Sequence, residues 1–438
     1  MLKRALFILL IGLLPAALTS CGEEPRETSV SRVLDNGLTI VTRENRATPV
    51  IALQAWVGDG ALFEEPEEAG IAYLLAHTVF DETESYGEGE IRATIESLGG
   101  TMRTYSSHDF ALFSIVVENR HLDSAVDVLY EGLTKPVFSD ERLAEAGERF
   151  PKQPAPGGEG PIEEAYRLCM EHMLPDHPYG RDPAGTISTV AGITAEDLAE
   201  RHVAHYVAEN MVVVLVGDVD AAAAADAIES RFASLEKRPS PEPAAGSPEW
   251  PDEPVRVVRK SDYRRTFAAL AFPGPGIGDP ESVAMDVLTG VLWRGERSGL
   301  HKVLVEELGL ASSVSVGWYT RRQQSPVYVW LELEPGAFDA AENAVLGAVS
   351  RLAADGVGQK EVDEVVEAVR ASMLFIQETA EGQAHDIGYW TSIGHPGFDS
   401  EYMERLEQVT PEDVRDLAER HLRARNRAAA AIVPREED

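Results

Sequence analysis

The sequence predicts an α+β protein of two tandem homologous domains, each a β-sheet with helices packed on one face. Three observations carry this expectation. Residues 193–218 and 409–434 repeat one helix-then-strand pattern, a proline-rich segment lies between the two copies, and strand and helix periods mix without strict βαβ alternation. The chain of 438 residues has length for about two to four domains at roughly 100–200 residues each. With 44% hydrophobic and 26% charged residues, the composition fits packed globular domains rather than long disorder.

The amino end reads as targeting sequence. Lys3 and Arg4 precede an apolar stretch, Ala5–Leu18, which Gly12 and Pro15 interrupt and which is short for a bilayer span. Its close, Leu18-Thr19-Ser20-Cys21, resembles the bacterial lipobox. Residues 1–20 therefore read as a lipoprotein signal peptide, Cys21 as the lipidated residue and 21–27 as a tether. The implied location is the bacterial cell envelope, anchored to a membrane on the periplasmic side.

The first domain is expected over 28–235. Thr39–Thr42 and Val50–Trp56 read as paired strands, Gly70–Phe80 as a helix, Phe110–Val117 as a strand and Leu122–Leu133 as a helix. Residues 236–254 follow as a linker, because their repeated prolines fix φ and remove backbone donors. In the second domain, 255–438, Arg265–Phe272 and Val327–Leu333 read as strands, and Val283–Leu292, Ala341–Ala354 and Lys360–Ile376 as helices. The repeat aligns Thr194 with Thr410, Asp197 with Asp413 and Asn210 with Asn426. Both copies open with Thr-x-x-Asp, a helix-start signature, and then run through Asn into an apolar strand.

Charge narrows the function. The chain carries 39 Lys+Arg against 74 Asp+Glu, a formal net charge of −35, which repels phosphate backbones and argues against nucleic-acid binding. Two cysteines, Cys21 and Cys169, are too few for a disulfide framework, and Cys169 reads as a buried small hydrophobe. Neither a dinucleotide-binding nor a phosphate-binding glycine loop is present, and there is no Gly-x-Ser-x-Gly.

The stretch PEEAGIAYLLAHTVFDET, residues 66–83, resembles the M16 peptidases, the family of insulinase, pitrilysin and the mitochondrial processing peptidase. Leu98-Gly99-Gly100, His177-Pro178-Tyr179-Gly180, and Val305-Glu306-Glu307-Leu308-Gly309-Leu310-Ala311 fit the same resemblance, which runs from about Val30 to Val433. It implies two similar α+β domains in one chain, facing a second chain or a second copy across a chamber. It also implies a helix bearing His-x-x-Glu-His, in which two histidines hold zinc and the glutamate serves as general base.

Here that motif reads Tyr73-Leu74-Leu75-Ala76-His77, so His77 alone remains of the three. Alanine can neither take nor give a proton, and loss of a positioned base costs roughly 10²–10⁴ in rate. The resemblance places a third ligand near Pro154, inside a proline- and glycine-rich segment flanked by Glu148 and Glu159. The substrate-holding strand edge falls on Arg103 and Thr104, and the arginine and tyrosine of the second half fall on Val305 and Ser312. No catalytic or metal-ligating residue is therefore expected and no cofactor, and His77 reads as a packed or solvated helix histidine. His202 and His205 read as part of a surface face. The expected function is a noncatalytic envelope lipoprotein, either the inactive partner of a zinc peptidase or a shell that holds peptides or proteins. Two alternatives stay open: an active zinc peptidase with a displaced ligand set, such as His77 with Asp81 or Glu82, and a structural assembly subunit.

Overall fold

A computed structural model describes residues 29–149, 160–294 and 299–435. Cys21, Pro154 and Glu159, on which the anchor and third-ligand expectations fall, lie outside the described residues, as does the side chain of Glu148.

Eleven strands among the described residues form two sheets. The first holds β1 (Ser29–Val33), β2 (Thr39–Glu44), β3 (Val50–Val57), β4 (Thr101–Ser106), β5 (Ala111–Glu118) and β6 (Met211–Gly217), in the order β1-β2-β6-β3-β5-β4. The second holds β7 (Val255–Ser261), β8 (Thr266–Phe272), β9 (Ala311–Trp318), β10 (Val327–Leu333) and β11 (Ala428–Pro434), in the order β7-β11-β8-β10-β9. Without β1 the two paths superpose, down to one parallel pair in each sheet, β2 with β6 and β7 with β11. The repeat is thus a duplication of topology as well as of sequence.

Local chemistry explains the repeated ends. Thr194 and Thr410 each accept the backbone N–H three residues on, at 3.2 Å, while Asp197 and Asp413 return a carboxylate to the threonine N–H at 2.8 and 2.9 Å. Asn210 then donates to Gly58 O and Asn426 to Pro251 O, fixing the chain as it enters β6 or β11.

The expected pairing of Thr39–Thr42 with Val50–Trp56 is corrected: β6 lies between β2 and β3 and bonds to both. Every residue of β6 is buried, so this apolar strand gains most at the centre of the sheet, where both edges and both faces are covered. The predicted helices form close to where the periodicity put them, at Ile71–Thr78, Leu122–Thr134, Ser282–Arg294, Phe338–Asp355 and Gln359–Gln377.

Each sheet carries its own half's helices on one face. The other face is closed by a helix from the opposite half. The Pro161–Met173 helix lays Ala165, Leu168 and Cys169 on Ala269, Ala271, Ala428 and Ala430 of the second sheet. The Ala380–Ser392 helix lays Ala384 and Ile387 on Ala52, Trp56, Val212 and Val214 of the first. Alanine-rich strands let a helix approach closely, and Cys169 is fully buried there, its thiol pushed up to about 12 by desolvation. Residues 236–254 contain no helix or strand and are strapped down by His177 Nε2 against Gly246 O, at 2.8 Å, and by Trp250 Nε1 donating to Gln324 Oε1. Among the described residues no helix is long and apolar enough to cross a membrane.

Candidate functional site

The Ile71–Thr78 helix begins at Gly70, whose φ of +99° is open to glycine without strain. Its first N–H groups have no partner within the helix, and the buried Glu64 carboxylate supplies one, accepting from Gly70 N at 3.0 Å and Ala72 N at 2.9 Å. Desolvation pushes the Glu64 carboxyl up to about 7, against the opposing pull of Arg201 and the two N–H bonds. Leu74, Leu75 and Ala76 go into the core of the first half, and His77 is the helix's half-buried member.

Tyr73, Ala76 and His77 face a cavity of about 370 Å³ between this helix and β4. The His77 ring packs on that of Tyr73, with centroids 4.3 Å apart. Burial lowers the His77 pKa to about 4, so the imidazole is neutral at pH 7. Across the cavity lie Met102, Thr104, Tyr105 and Ser106 of β4. Among the described residues this strand is a sheet edge: it pairs with β5 on one side and with no strand on the other.

The sequence-derived positions are only partly brought together. Tyr73, Ala76, His77 and Thr104 share the cavity with Asp81. Arg103 does not border it; its exposed side chain turns to the opposite half, where Nη1 reaches Glu381 Oε1 at 3.3 Å. Glu82 lies against Arg142 instead, at 4.0 Å. Val305 packs against the core of the second half, and Ser312 is exposed on β9 with its hydroxyl donating to Glu332 O. Neither borders the cavity.

A zinc ion needs three or four nitrogen, sulfur or carboxylate donors converging on one point. Among the described residues no three His, Cys, Asp or Glu side chains do so. His77 and Asp81 supply two donors to this cavity, with a phenol and a methyl group where further donors would be needed. The described residues do not fit a zinc site.

The surface reading of His202 and His205 is corrected. His202 Nε2 lies 2.9 Å from Leu133 O, and His205 Nδ1 lies 3.0 Å from Asp59 Oδ1. Asp59 is fully buried and also takes Arg201 Nη2 at 2.6 Å and Nε at 3.1 Å. These bonds hold the Asp59 carboxyl below its ordinary range despite burial. A signal for this was present in the repeat. His205 and His421 occupy equivalent positions, and His421 Nε2 meets Glu281 at 2.6 Å.

Fold and site together define a two-domain shell of zinc-peptidase type, with one imidazole on its motif helix. Two family models match: "Insulinase (Peptidase family M16)" over residues 39–153 and "Peptidase M16 inactive domain" over residues 192–369, together about two thirds of the chain. The chain belongs to peptidase family M16. It is 24% identical, over 92% of both chains, to an uncharacterized zinc protease of Mycobacterium leprae. It is 25% identical to a probable mitochondrial-processing peptidase subunit beta of Arabidopsis thaliana, over 93% of this chain and 78% of that one. Among solved structures, a protease from Helicobacter pylori superposes with a TM-score of 0.87 at 20% identity, covering 93% of this chain and all of that one. A peptidase M16 inactive domain from Pseudomonas fluorescens gives 0.84 at 20% identity, covering 93% and 98%. At these identities the structural likeness speaks for the fold.

Proposed function

We propose that this protein is a noncatalytic M16 member, a lipid-anchored envelope protein that holds an extended peptide or protein segment in its chamber, alone, with a second copy or beside a zinc-bearing partner chain. One observation carries the reading: the cavity under the open edge of β4 holds a single desolvated imidazole beside the methyl group of Ala76. Hydrolysis of an amide needs an activated water and a proton acceptor. Capture of an extended segment needs only unpaired strand N–H and C=O groups with a groove beside them, and β4 supports that role. Lipidation of Cys21 would keep an acidic body at an anionic membrane, each buried CH₂ contributing about 0.8 kcal/mol irrespective of charge.

The test is zinc content of the purified chain together with peptide hydrolysis, with and without chelator. The expectation is substoichiometric zinc and no chelator-sensitive cleavage. Stoichiometric zinc with chelator-sensitive cleavage by this chain alone would overturn the reading in favour of a displaced ligand set. For the anchor, Cys21→Ser is expected to release the protein from membranes, and full retention would refute it.

A further inference from the structure

Between the two halves lies a second cavity, of about 500 Å³, to which the Ile71–Thr78 helix contributes nothing. Its volume falls among small-ligand pockets, about 300–1,000 Å³. Aromatic rings from both halves wall it, and polar atoms without protein partners point to what it takes. Arg321 is 8% exposed, its guanidinium held between the rings of Tyr179 and Tyr319 at 4.6 and 5.1 Å from their centroids. Its Nη1 has no hydrogen-bond partner, and Arg321 forms no ion pair among the described residues. Tyr166 Oη and Trp330 Nε1 are likewise buried without partners among the described residues. The three belong to one cluster: the Tyr166 ring lies 5.7 Å from Tyr319 and 5.5 Å from Trp330.

The acids of the cavity are mostly satisfied. Asp109 accepts from Tyr179 Oη at 2.6 Å, Asp286 from Trp318 Nε1 and Tyr402 Oη, and Asp386 from Trp390 Nε1. Asp182 pairs with Arg167 at 3.4 Å, and Glu163 Oε2 is a buried acceptor without a donor. Burial pushes Asp109, Asp182, Asp286 and Asp386 up from the ordinary carboxylate range.

Unpartnered buried donors in an aromatic cavity, Arg181 Nε and Nη1 among them, call for an acceptor-rich group on an apolar body. We propose that this cavity binds a carboxylate carried on an aromatic or aliphatic body, its oxygens taking the N–H groups of Arg321 and Trp330 and the O–H of Tyr166. Such a carboxylate comes either from a free aromatic acid or from the C-terminus of a peptide.

The experiment is tryptophan fluorescence of the purified full-length chain, since Trp318, Trp330 and Trp390 line the cavity. The probes are N-acetylphenylalanine, its amide, and the tripeptide Ala-Ala-Phe. The acids are expected to give saturable changes and the amide to bind about tenfold or more weakly. A tripeptide tighter than N-acetylphenylalanine assigns the site to peptide C-termini, and equal or weaker tripeptide binding assigns it to free acids. Arg321→Met should abolish binding. Tyr166→Phe removes only a hydroxyl, so it should weaken acid binding several-fold while leaving the melting temperature unchanged or raised. Equal binding of acid and amide, no binding by folded protein, or wild-type affinity in Tyr166→Phe would each overturn the proposal.

Discussion

The Trp56 indole lies so close over the backbone of Gly388 that a methyl group added there would fall within the ring. Trp56 is fully buried in β3, with Nε1 donating to Gln54 Oε1, so it cannot turn aside. This contact joins the first sheet to a helix of the opposite half. Alanine for glycine within a helix normally gains about 0.5–1 kcal/mol, while overpacking a core costs about 1–3 kcal/mol or more. The clash wins, and Gly388→Ala is expected to lower stability in urea denaturation by about 1–3 kcal/mol. Gly347→Ala makes the same change in the Phe338–Asp355 helix, where the nearest atom is the mobile end of Arg351 at 3.4 Å. It should stabilise by about 0.5–1 kcal/mol. Equal effects at the two sites would refute the close approach.

The buried Asp59–Arg201 pair predicts a strongly non-additive pair of variants. Side-chain exposures of 0% and 5% leave either partner stranded when the other is removed. Asp59→Asn and Arg201→Met should each cost about 3–5 kcal/mol, and the double variant should recover a large part of the loss. Denaturation of all four proteins closes the cycle, and additive losses would show that the pair is solvated.

The duplicated helix starts predict matched penalties. Thr194→Ala and Thr410→Ala each remove an exposed cap of the same geometry, and each should cost about 1 kcal/mol. Because the caps lie in different halves, their effects should add within about 0.5 kcal/mol. A much larger loss from one of them would mean that the halves differ in how strongly they depend on this unit.

What was legible in the sequence was short-range. The Thr-x-x-Asp boxes span three residues, and the Ile71–Thr78 helix carries its own period, so both could be read along the chain. Partner choice could not. The insertion of β6 between β2 and β3 depends on a strand that arrives much later in the chain, and nothing near residue 40 records it. Ala428–Val433 read as a buried strand, but which helix its small side chains would admit was written near Cys169, far away. The misreading of His202 and His205 has the same cause, since Leu133 and Asp59 lie 69 and 146 residues earlier. At the site, the motif identified Tyr73, Ala76 and His77 as residues of one cavity, whereas Arg103 turns to Glu381, 278 residues later, which nothing near β4 records.

Glu64 and His77, near the two ends of one short helix, predict opposing pH dependences that mask each other. Glu64 has a folded pKa of about 7 against 4.5 unfolded, so the native state holds its proton more tightly. Its contribution to stability therefore falls as pH rises from about 4.5 to about 7. His77 has a folded pKa of about 4 against 6.5 unfolded, so the native state holds its proton less tightly. Its contribution rises as pH rises from about 4 to about 6.5. In the wild type the two slopes oppose across nearly the same window. Glu64→Gln removes the falling slope and should gain stability between pH 5 and 6.5 relative to wild type. His77→Leu removes the rising slope and should lose stability over that interval. Urea denaturation at pH 5 and 6.5, compared as differences from wild type, reads both signs. The same sign in both variants would mean that at least one of these groups is solvated in the native protein and that the helix is not seated as described.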